Sequence, residues 1–288
     1  MKICELFGKG KTVFSFEVFP PKKTSSIDTI YKTIDELKEL HPDFISVTYG
    51  AGGSSAGNIT AGIAGYIRRN AGVLSAAHLT CVNNTKEDII RILEEFKNEG
   101  IENILALRGD MPAGAEPKKD FKYASDLVAF IKQESGDDFG ISGACYPEGH
   151  IEADTIVKDI HNLRKKVDAG AEHLMSQLFF DNSLFYNFIE KVRIADIDVP
   201  IEAGIMPVVN KKQIERMVSL CGASLPPKFV KMMQRYESNP DALRDAGIAY
   251  AVDQIVDLIS NGVDGIHLYT MNNPYVAKKI SESVSSLL

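Results

Sequence analysis

The chain has 288 residues, of which 44% are hydrophobic and 25% charged, and its formal net charge is −7. This composition is ordinary for a soluble globular protein, and the acidic balance without a basic stripe excludes a general nucleic-acid binder. No apolar run reaches the roughly 20 residues of a membrane helix, and the N-terminus lacks the pattern of a signal peptide. We therefore expect a cytoplasmic protein that does not bind membranes.

Predicted strands and helices alternate along the chain. Short apolar runs rich in β-forming residues predict strands at 12–19, 44–50, 74–81, 103–110, 140–148, 173–181, 200–208 and 265–271. Helical patterns follow them at 26–40, 58–70, 86–100, 123–135, 153–170, 183–195, 211–260 and 275–288. Apolar residues recur at helical spacing, as at Ile89, Ile92 and Phe96. Eight strand–helix units at a spacing of roughly 30 residues predict an α/β (βα)8 TIM barrel, with 1–288 as a single domain.

Two segments test this interpretation. A doubly wound open sheet would carry a glycine-rich dinucleotide fingerprint after its first strand, whereas Pro20 and Pro21 stand there. The region 211–260 is broken at Pro226-Pro227 and again at Asn239-Pro240, which predicts extra helices between strands 7 and 8. The glycine-rich stretch 50–57 lacks the GK[ST] of a P-loop and predicts a loop.

Polar side chains cluster where the predicted strands end. They are Glu17, Thr48, Tyr49, His78, Thr80, Arg108, Asp110, Tyr146, Glu148, Gln177, Asp181, Tyr269 and Asn272. In a barrel these ends converge on one face, which is where TIM-barrel active sites lie. Burying one such group without a partner costs about 1–3 kcal/mol, so a ring of them predicts a polar ligand.

The tripeptide Arg108-Gly109-Asp110 has two interpretations. Arg108 could balance an anionic ligand, Gly109 could let the backbone approach it, and Asp110 could accept its N–H groups. Alternatively, Arg108 and Asp110 form a local ion pair at the end of the strand.

Glu17 is also open to two interpretations. It lies among Phe14, Phe16 and Phe19, and poor solvation makes a carboxyl group a usable proton donor near neutral pH. Alternatively, alternation places Ser15 and Glu17 together on a polar, outward face. We favour the functional interpretation because the strand ends just beyond Glu17.

Other chemistries fit less well. A hydrolase metal site would need an HxH motif and more histidines than His78 and His267, so we predict no metal. No strand end carries the lysine of a Schiff-base aldolase. The four cysteines have no CxxC spacing and predict neither zinc binding nor disulfides, and Cys81 and Cys145 are expected to be buried thiols.

The strand-end motifs, in chain order, carry a family resemblance. They are FSFEVFPPK (14–22), FISVTYGAGG (44–53), HLTC (78–81), ALRGDMP (106–112), YASDLV (123–128), YPEGHIEA (146–153), LRKKVDAGA (163–171), QLFFD (177–181), GIMPV (204–208) and HLYTMN (267–272). Together they resemble the bacterial-type methylenetetrahydrofolate reductase family from the first strand to the last.

The resemblance implies an FAD-binding TIM barrel of one-carbon metabolism. Such enzymes reduce 5,10-methylenetetrahydrofolate to 5-methyltetrahydrofolate by ping-pong hydride transfer. It implies that Glu17 is the general acid, that Asp110 is a catalytic carboxylate near the flavin and pterin, and that Gln177 and Gln213 contact the folate. The implied cofactor contacts, Thr48 being one to the nicotinamide, are Thr48, Tyr49, Ala51, His78, Arg108, Gly109, Asp110, Ala124, Tyr146, His150, Ala153, Asp159, Asn162, Lys165 and Lys166.

The sequence departs from the family pattern around the substrate. The family's charged loop is GGSSAGNIT here, Asn273 stands where a folate-binding arginine is common, and Met217 stands where an aromatic residue is expected. The sequence therefore does not decide whether NADH, NADPH or a partner subunit is the electron donor. Because members of the family are often oligomeric, the resemblance predicts a homo-oligomer. The rival functions are another flavin barrel acting on a different amine or imine, a flavin-bearing electron-relay subunit, and a folate-binding scaffold without FAD.

Overall fold

Eight parallel strands form a closed barrel in which each strand pairs with its neighbours in sequence and β1 pairs with β8. The strands are β1 Val13–Val18, β2 Phe44–Val47, β3 Leu74–Thr80, β4 Asn103–Leu107, β5 Gly140–Cys145, β6 His173–Ser176, β7 Ile201–Ile205 and β8 Gly265–Tyr269. The computed structural model describes residues 1–22, 24–49, 54–110, 118–210, 214–215, 218 and 221–288, with backbone alone for 54–57. The barrel confirms the predicted (βα)8 fold.

Helices alternate with the strands and cover the barrel. Within the described part of the chain they are α1 Asp28–Lys38, α2 Ser54–Tyr66, α3 Lys86–Asn98, α4 Ala124–Ser135, α5 Ile156–Asp168, α6 Asn182–Ile194, α7 Pro227–Tyr236, α8 Pro240–Ser260 and α9 Pro274–Val284. Because α2 begins at Ser54, the loop prediction over 50–57 is wrong for its second half. A wider turn, Ile67–Ala71, extends α2 until Gly72 ends it in a left-handed conformation (φ 70°).

Between β7 and β8 the described residues include the regular barrel helix α8 and, before it, the extra helix α7. The long helix α8 packs against β7 and α9, as the helix of the seventh βα unit must. The extra helix α7 buries Phe229 and Met233 against a separate apolar cluster that includes Phe180 and Met206. This cluster covers one side of the barrel mouth, and α7 is the extra helix that the described residues show in the region where the sequence predicts extra helices.

The opposite end of the barrel is closed by the beginning of the chain. A 3₁₀ turn at Ile3–Leu6 inserts Ile3 and Leu6 into an apolar cluster with Phe44 and Met175. The backbone N–H of Ile3 donates to Asn103 Oδ1 at 2.8 Å, which satisfies a buried donor. Among the described residues, the barrel is therefore open to a ligand at the end where the strands carry polar residues.

No helix in the described ranges is both long and apolar enough to cross a membrane.

Candidate functional site

The open end of the barrel leads into a cleft with two connected lobes. The central lobe, of about 770 Å³, lies over the strand ends and is lined by residues from Glu17 to Met271. The side lobe, of about 400 Å³, lies between the ends of β4 and β5 and the helices α4 and α5. The two lobes share Leu107, Arg108, Ala144, Tyr146 and His150. The shared wall makes them one elongated cleft.

The structure brings the sequence-predicted residues together along this cleft. The central lobe is lined by Glu17, Thr48, Tyr49, His78, Arg108, Gly109, Asp110, Tyr146, His150 and Gln177. The side lobe is lined by Arg108, Ala124, Tyr146, His150, Ala153, Asp159, Asn162, Lys165 and Lys166. Ala51, Gln213 and Met217 lie outside the described residues. Predicted site residues that lie between positions 17 and 177 of the chain therefore line the same cleft.

Glu17 points into the barrel, so the prediction of an outward polar face is wrong. Its strand neighbour Ser15 is fully buried, because both faces of a barrel strand are covered. The Glu17 side chain is 19% exposed, and its Oε2 atom lies 3.6 Å from Nε2 of His78 and 3.7 Å from Nε2 of His267. No lysine or arginine of the described residues lies within 4 Å of this carboxyl group. It is therefore exposed to the cleft without a permanent cation beside it.

Two groups next to Glu17 are held uncharged by burial. Burial lowers the pKa of His78 to about 4, so this imidazole is neutral near pH 7. Burial also raises the pKa of Tyr269 well above its ordinary value, and its hydroxyl donates to the Ser176 carbonyl at 2.7 Å. The floor of the central lobe is thus polar but carries little fixed charge.

The Arg108 side chain pairs with Glu152 and not with Asp110. Its two terminal nitrogens lie 2.5 and 2.7 Å from the two Glu152 oxygens, a bidentate contact. The local Arg108–Asp110 ion pair considered from the sequence is therefore wrong. Asp110 is exposed at the rim of the central lobe.

Gly109 makes the turn after β4 possible. Its φ is +84°, and a Cβ atom there would lie 2.9 Å from Cβ of Thr80. A side chain would therefore be strained and crowded, so the backbone itself lines the central lobe at this point.

The side lobe is electrically positive. Arg108, Lys158, Lys165 and Lys166 face two carboxylates, Glu152 and Asp159. Lys166 is partly buried, its ammonium group donates to the Ala144 carbonyl, and desolvation lowers its pKa.

Backbone N–H groups add to this positive charge. The first turn of α4, at Tyr123 to Ser125, also lines the side lobe. A helix N-terminus carries partial positive charge, so this lobe is suited to an anion.

Polar groups on the wall of the central lobe are held in place by the backbone. The amide oxygen of Gln177 accepts from the backbone N–H of Leu178 at 2.9 Å, which fixes the orientation of this amide. The Asn84 amide donates to the Thr80 carbonyl at 2.7 Å and approaches the Tyr49 hydroxyl at 3.4 Å. These contacts pre-organise the wall for a polar ligand.

Several contacts of the site carried no clear signal in the sequence. Glu152 was not predicted because it lies in the segment between β5 and α5 and not at the end of a strand. Asn272 holds both backbone groups of Phe19, and Thr270 donates to the Glu17 carbonyl at 2.6 Å, so β8 clamps the end of β1. Asn273 caps α9, accepting from the N–H of Val276. This capping bond gives the position of the family's arginine a structural role here.

The structure describes the acidic, histidine and cysteine side chains as follows. Among the described residues, no group of three or more histidine, cysteine or acidic side chains could hold a metal ion. The four cysteines are free thiols. Cys81 and Cys145 are buried as predicted, and burial raises the pKa of both thiols to about 12.

Solved structures similar to this chain confirm the fold. One is an uncharacterized protein from Clostridium thermocellum that binds two copies of 5-methyl-5,6,7,8-tetrahydrofolic acid. It has a TM-score of 0.70 and 14% identity, and the match covers 96% of this chain and 95% of the other. A dihydropteroate synthase from Coxiella burnetii matches with a TM-score of 0.53 and 10% identity over 97% of this chain and 95% of the other.

Curated relatives have much higher sequence identity. Methylenetetrahydrofolate reductase (NADH) 1 of Arabidopsis thaliana is 38% identical over 94% of this chain, which spans only 48% of that relative. The chain therefore spans about half the length of its plant relatives. The 5,10-methylenetetrahydrofolate reductase of Escherichia coli is 36% identical, and the match covers 96% of this chain and 92% of the bacterial protein. The methylenetetrahydrofolate reductase family profile matches residues 2–285. The chain therefore belongs to the methylenetetrahydrofolate reductase family.

Proposed function

We propose that this protein reduces 5,10-methylenetetrahydrofolate to 5-methyltetrahydrofolate, with FAD bound along the two-lobed cleft and NADH or NADPH as electron donor. The observation that carries the proposal is the continuity of the cleft. A lobe rich in fixed positive charge opens directly into a lobe whose floor holds a carboxyl group between two histidines. The family membership, the substrate named for the bacterial relatives and the open barrel mouth support the same conclusion.

The side lobe fits the diphosphate part of FAD by charge. Four basic side chains against two carboxylates leave a net positive lining, which complements a diphosphate. Lys166 and Arg108 would hold the phosphate oxygens, and the first turn of α4 would add backbone donors. Gly109 and the Tyr146 ring at the junction of the lobes would lie against the flavin. When bound, FAD would supply the hydride-transfer chemistry that none of the amino acids provides.

In the central lobe, Glu17 would deliver a proton to a nitrogen of the folate's methylene bridge. Protonation turns that nitrogen into a leaving group and opens the bridge to an iminium ion. His78 is neutral, so it does not act as a cation that would stabilise the ionised form of the Glu17 carboxyl group. The hydrogen bond from Thr270 fixes the backbone of Glu17. The amide of Gln177, held by Leu178, would contact the folate ring. Asp110 would place its charge at the rim where flavin and pterin meet.

The test is an anaerobic visible spectrum of the purified chain before and after addition of NADH, and separately NADPH. We expect flavin bands that bleach with the donor, return when methylenetetrahydrofolate is added, and yield 5-methyltetrahydrofolate identified by mass spectrometry. Flavin bands that bleach with neither nucleotide would assign electron delivery to a partner subunit. A colourless protein that takes up no added FAD would overturn the proposal, and a different reduced amine as product would overturn the substrate assignment.

A further inference from the structure

A line of buried polar side chains runs beneath Glu17 through the interior of the barrel. Ser15, His173, Glu202 and His267 are each at most 1% exposed. They come from β1, β6, β7 and β8, and the β1–β8 pairing places Ser15 directly beside His267. Gly265 makes room for Glu202, since a Cβ atom at Gly265 would lie 2.7 Å from Cγ of Glu202. A carboxyl group in a barrel core is costly unless its oxygens are engaged, so its partners define its role.

The hydrogen bonds of this line have a direction. The Ser15 hydroxyl donates to Oε1 of Glu202 at 2.8 Å. Serine has one proton to give, so the 2.6 Å contact between Ser15 Oγ and Nδ1 of His267 requires the proton on Nδ1. On its other side, Oε2 of Glu202 lies 3.1 Å from Nε2 of His173 in a geometry that is not a hydrogen bond. The hydrogen bond from Ser15 is therefore the one that engages the Glu202 carboxyl group among the described side chains.

The upper end of the line faces Glu17. With its proton on Nδ1, a neutral His267 presents a bare Nε2 atom, 3.3 Å from the Ser46 hydroxyl and 3.7 Å from Oε2 of Glu17. The latter distance is about 0.5 Å longer than a hydrogen bond. The other groups that face His267 are uncharged: His78, the Tyr269 ring and the Phe44 ring. A bare nitrogen accepts a hydrogen bond from a protonated carboxyl group, whereas an N–H there would favour the carboxylate.

We propose that Glu202 is a positioning residue that, through Ser15, holds His267 in its Nδ1–H tautomer and so favours the protonated Glu17 that a general acid requires. This inference rests on the proposed function for its catalytic meaning. The tautomer itself depends only on the hydrogen bonds of the barrel interior. Glu202 contacts neither lobe of the cleft, so its effect is transmitted over two residues.

The experiment is long-range ¹H–¹⁵N correlation spectroscopy of the intact protein with ¹⁵N-labelled histidines, with the His267 signals assigned by their loss in His267→Gln. We expect the Nδ1–H pattern in the wild type. In Glu202→Gln the carboxamide can donate to Ser15, and we expect the Nε2–H form to become populated. The control is Ser142→Ala, which removes the hydrogen bond to Nδ1 of His173 in the same buried layer but leaves Ser15 and His267 untouched. We expect the control to keep the wild-type pattern.

A wild-type His267 that carries its proton on Nε2 overturns the inference, and so does an unchanged pattern in folded Glu202→Gln. The wild-type spectrum alone decides the matter if the variant does not fold. A second readout separates positioning from simple destabilisation: folate reduction in Glu202→Gln should fall about tenfold in kcat with little change in KM. Failure of the proposed function would abolish that second readout but would leave the spectra unaffected.

Discussion

The two lobes of the cleft differ in how their charge is arranged. The side lobe gathers Arg108, Lys158, Lys165 and Lys166, most of them supplied by one helix, α5, and it presents fixed cations. The floor of the central lobe presents Glu17, His78 and Tyr269, and burial keeps the latter two neutral. The charge of the side lobe is suited to an anion, whereas the neutral surroundings of Glu17 are suited to proton transfer.

The largest effect is expected in the central lobe. Glu17→Gln keeps the shape of the side chain but removes its transferable proton, so folate reduction should fall by about 10²- to 10⁴-fold. Flavin content and the rate of flavin bleaching by the donor should stay within about twofold, since these depend on the side lobe and the donor. Stopped-flow measurement of the two half-reactions separates the two rates. Folate turnover near the wild-type rate would remove Glu17 from the role of acid.

Burial of His78 predicts a loss of stability in acid. Its pKa is about 4 in the fold against 6.5 when exposed, so the unfolded chain binds more protons between these values. The stability from this group is therefore present above pH 6.5 and is lost as the pH falls towards 4, by at most about 3 kcal/mol. Urea unfolding of the wild type and His78→Asn at pH 7.5 and 4.5 measures it. We expect the variant to lose less stability than the wild type, and parallel losses would show that His78 is not held neutral.

In the side lobe, Lys166→Met should weaken FAD binding. The substitution keeps the volume but removes a partly buried cation, which is worth about 1.5–3 kcal/mol as a charged hydrogen-bond donor, or roughly 10- to 100-fold in Kd. The matched control is Lys158→Met, whose side chain is 61% exposed and already paired with Asp154, and there we expect less than about threefold. Fluorescence titration of the apoprotein gives both values. Equal losses in the two variants would mean that general charge, and not the partly buried position, determines binding.

The smallest effect is expected at the exposed partner of Arg108. Glu152→Gln breaks a half-exposed ion pair, so the free energy of unfolding should change by less than about 1 kcal/mol. Because a negative charge leaves the side lobe and Arg108 is released, FAD affinity should rise by about twofold to threefold. The same titration measures it. A clear loss of affinity would instead show that Glu152 holds Arg108 in its binding position.

The barrel and the strand-end members of the cleft could be predicted from local signals, whereas side-lobe residues such as Asp159 and Lys166 were implied only by the family resemblance. Apolar runs of strand length alternate with helical periodicity, and a polar residue at the end of a buried run stands out, as Gln177 and Arg108 do. Glu17 could be predicted as important, but alternation alone could not decide its face. In a closed barrel both faces of a strand are buried, so the face is decided only when β1 pairs with β8.

The interactions that the sequence did not reveal are those between distant residues. Ser15 and Glu202 are 187 residues apart, and Arg108 and Glu152 are 44 apart. Nothing in either segment signals the partner, because each contact depends on the register and closure of the sheet. Glu202 reads as one more polar residue in a strand until Gly265 is seen to leave space for it. Pairings of this kind need the folded chain.

The segment that closes the base of the barrel, around Ile3–Leu6, has a consequence for biosynthesis. Ile3 bonds to Asn103, and the Phe7 ring stacks on His173 with ring centroids 4.8 Å apart. This segment is synthesised before strands β2 to β6, yet its docking surface is incomplete until the sixth strand has been translated. During that interval the apolar side chains of Ile3, Leu6 and Phe7 remain in water. Contacts between residues so far apart in sequence form slowly. Until the base of the barrel is complete, the nascent chain therefore exposes a hydrophobic segment that a chaperone can bind.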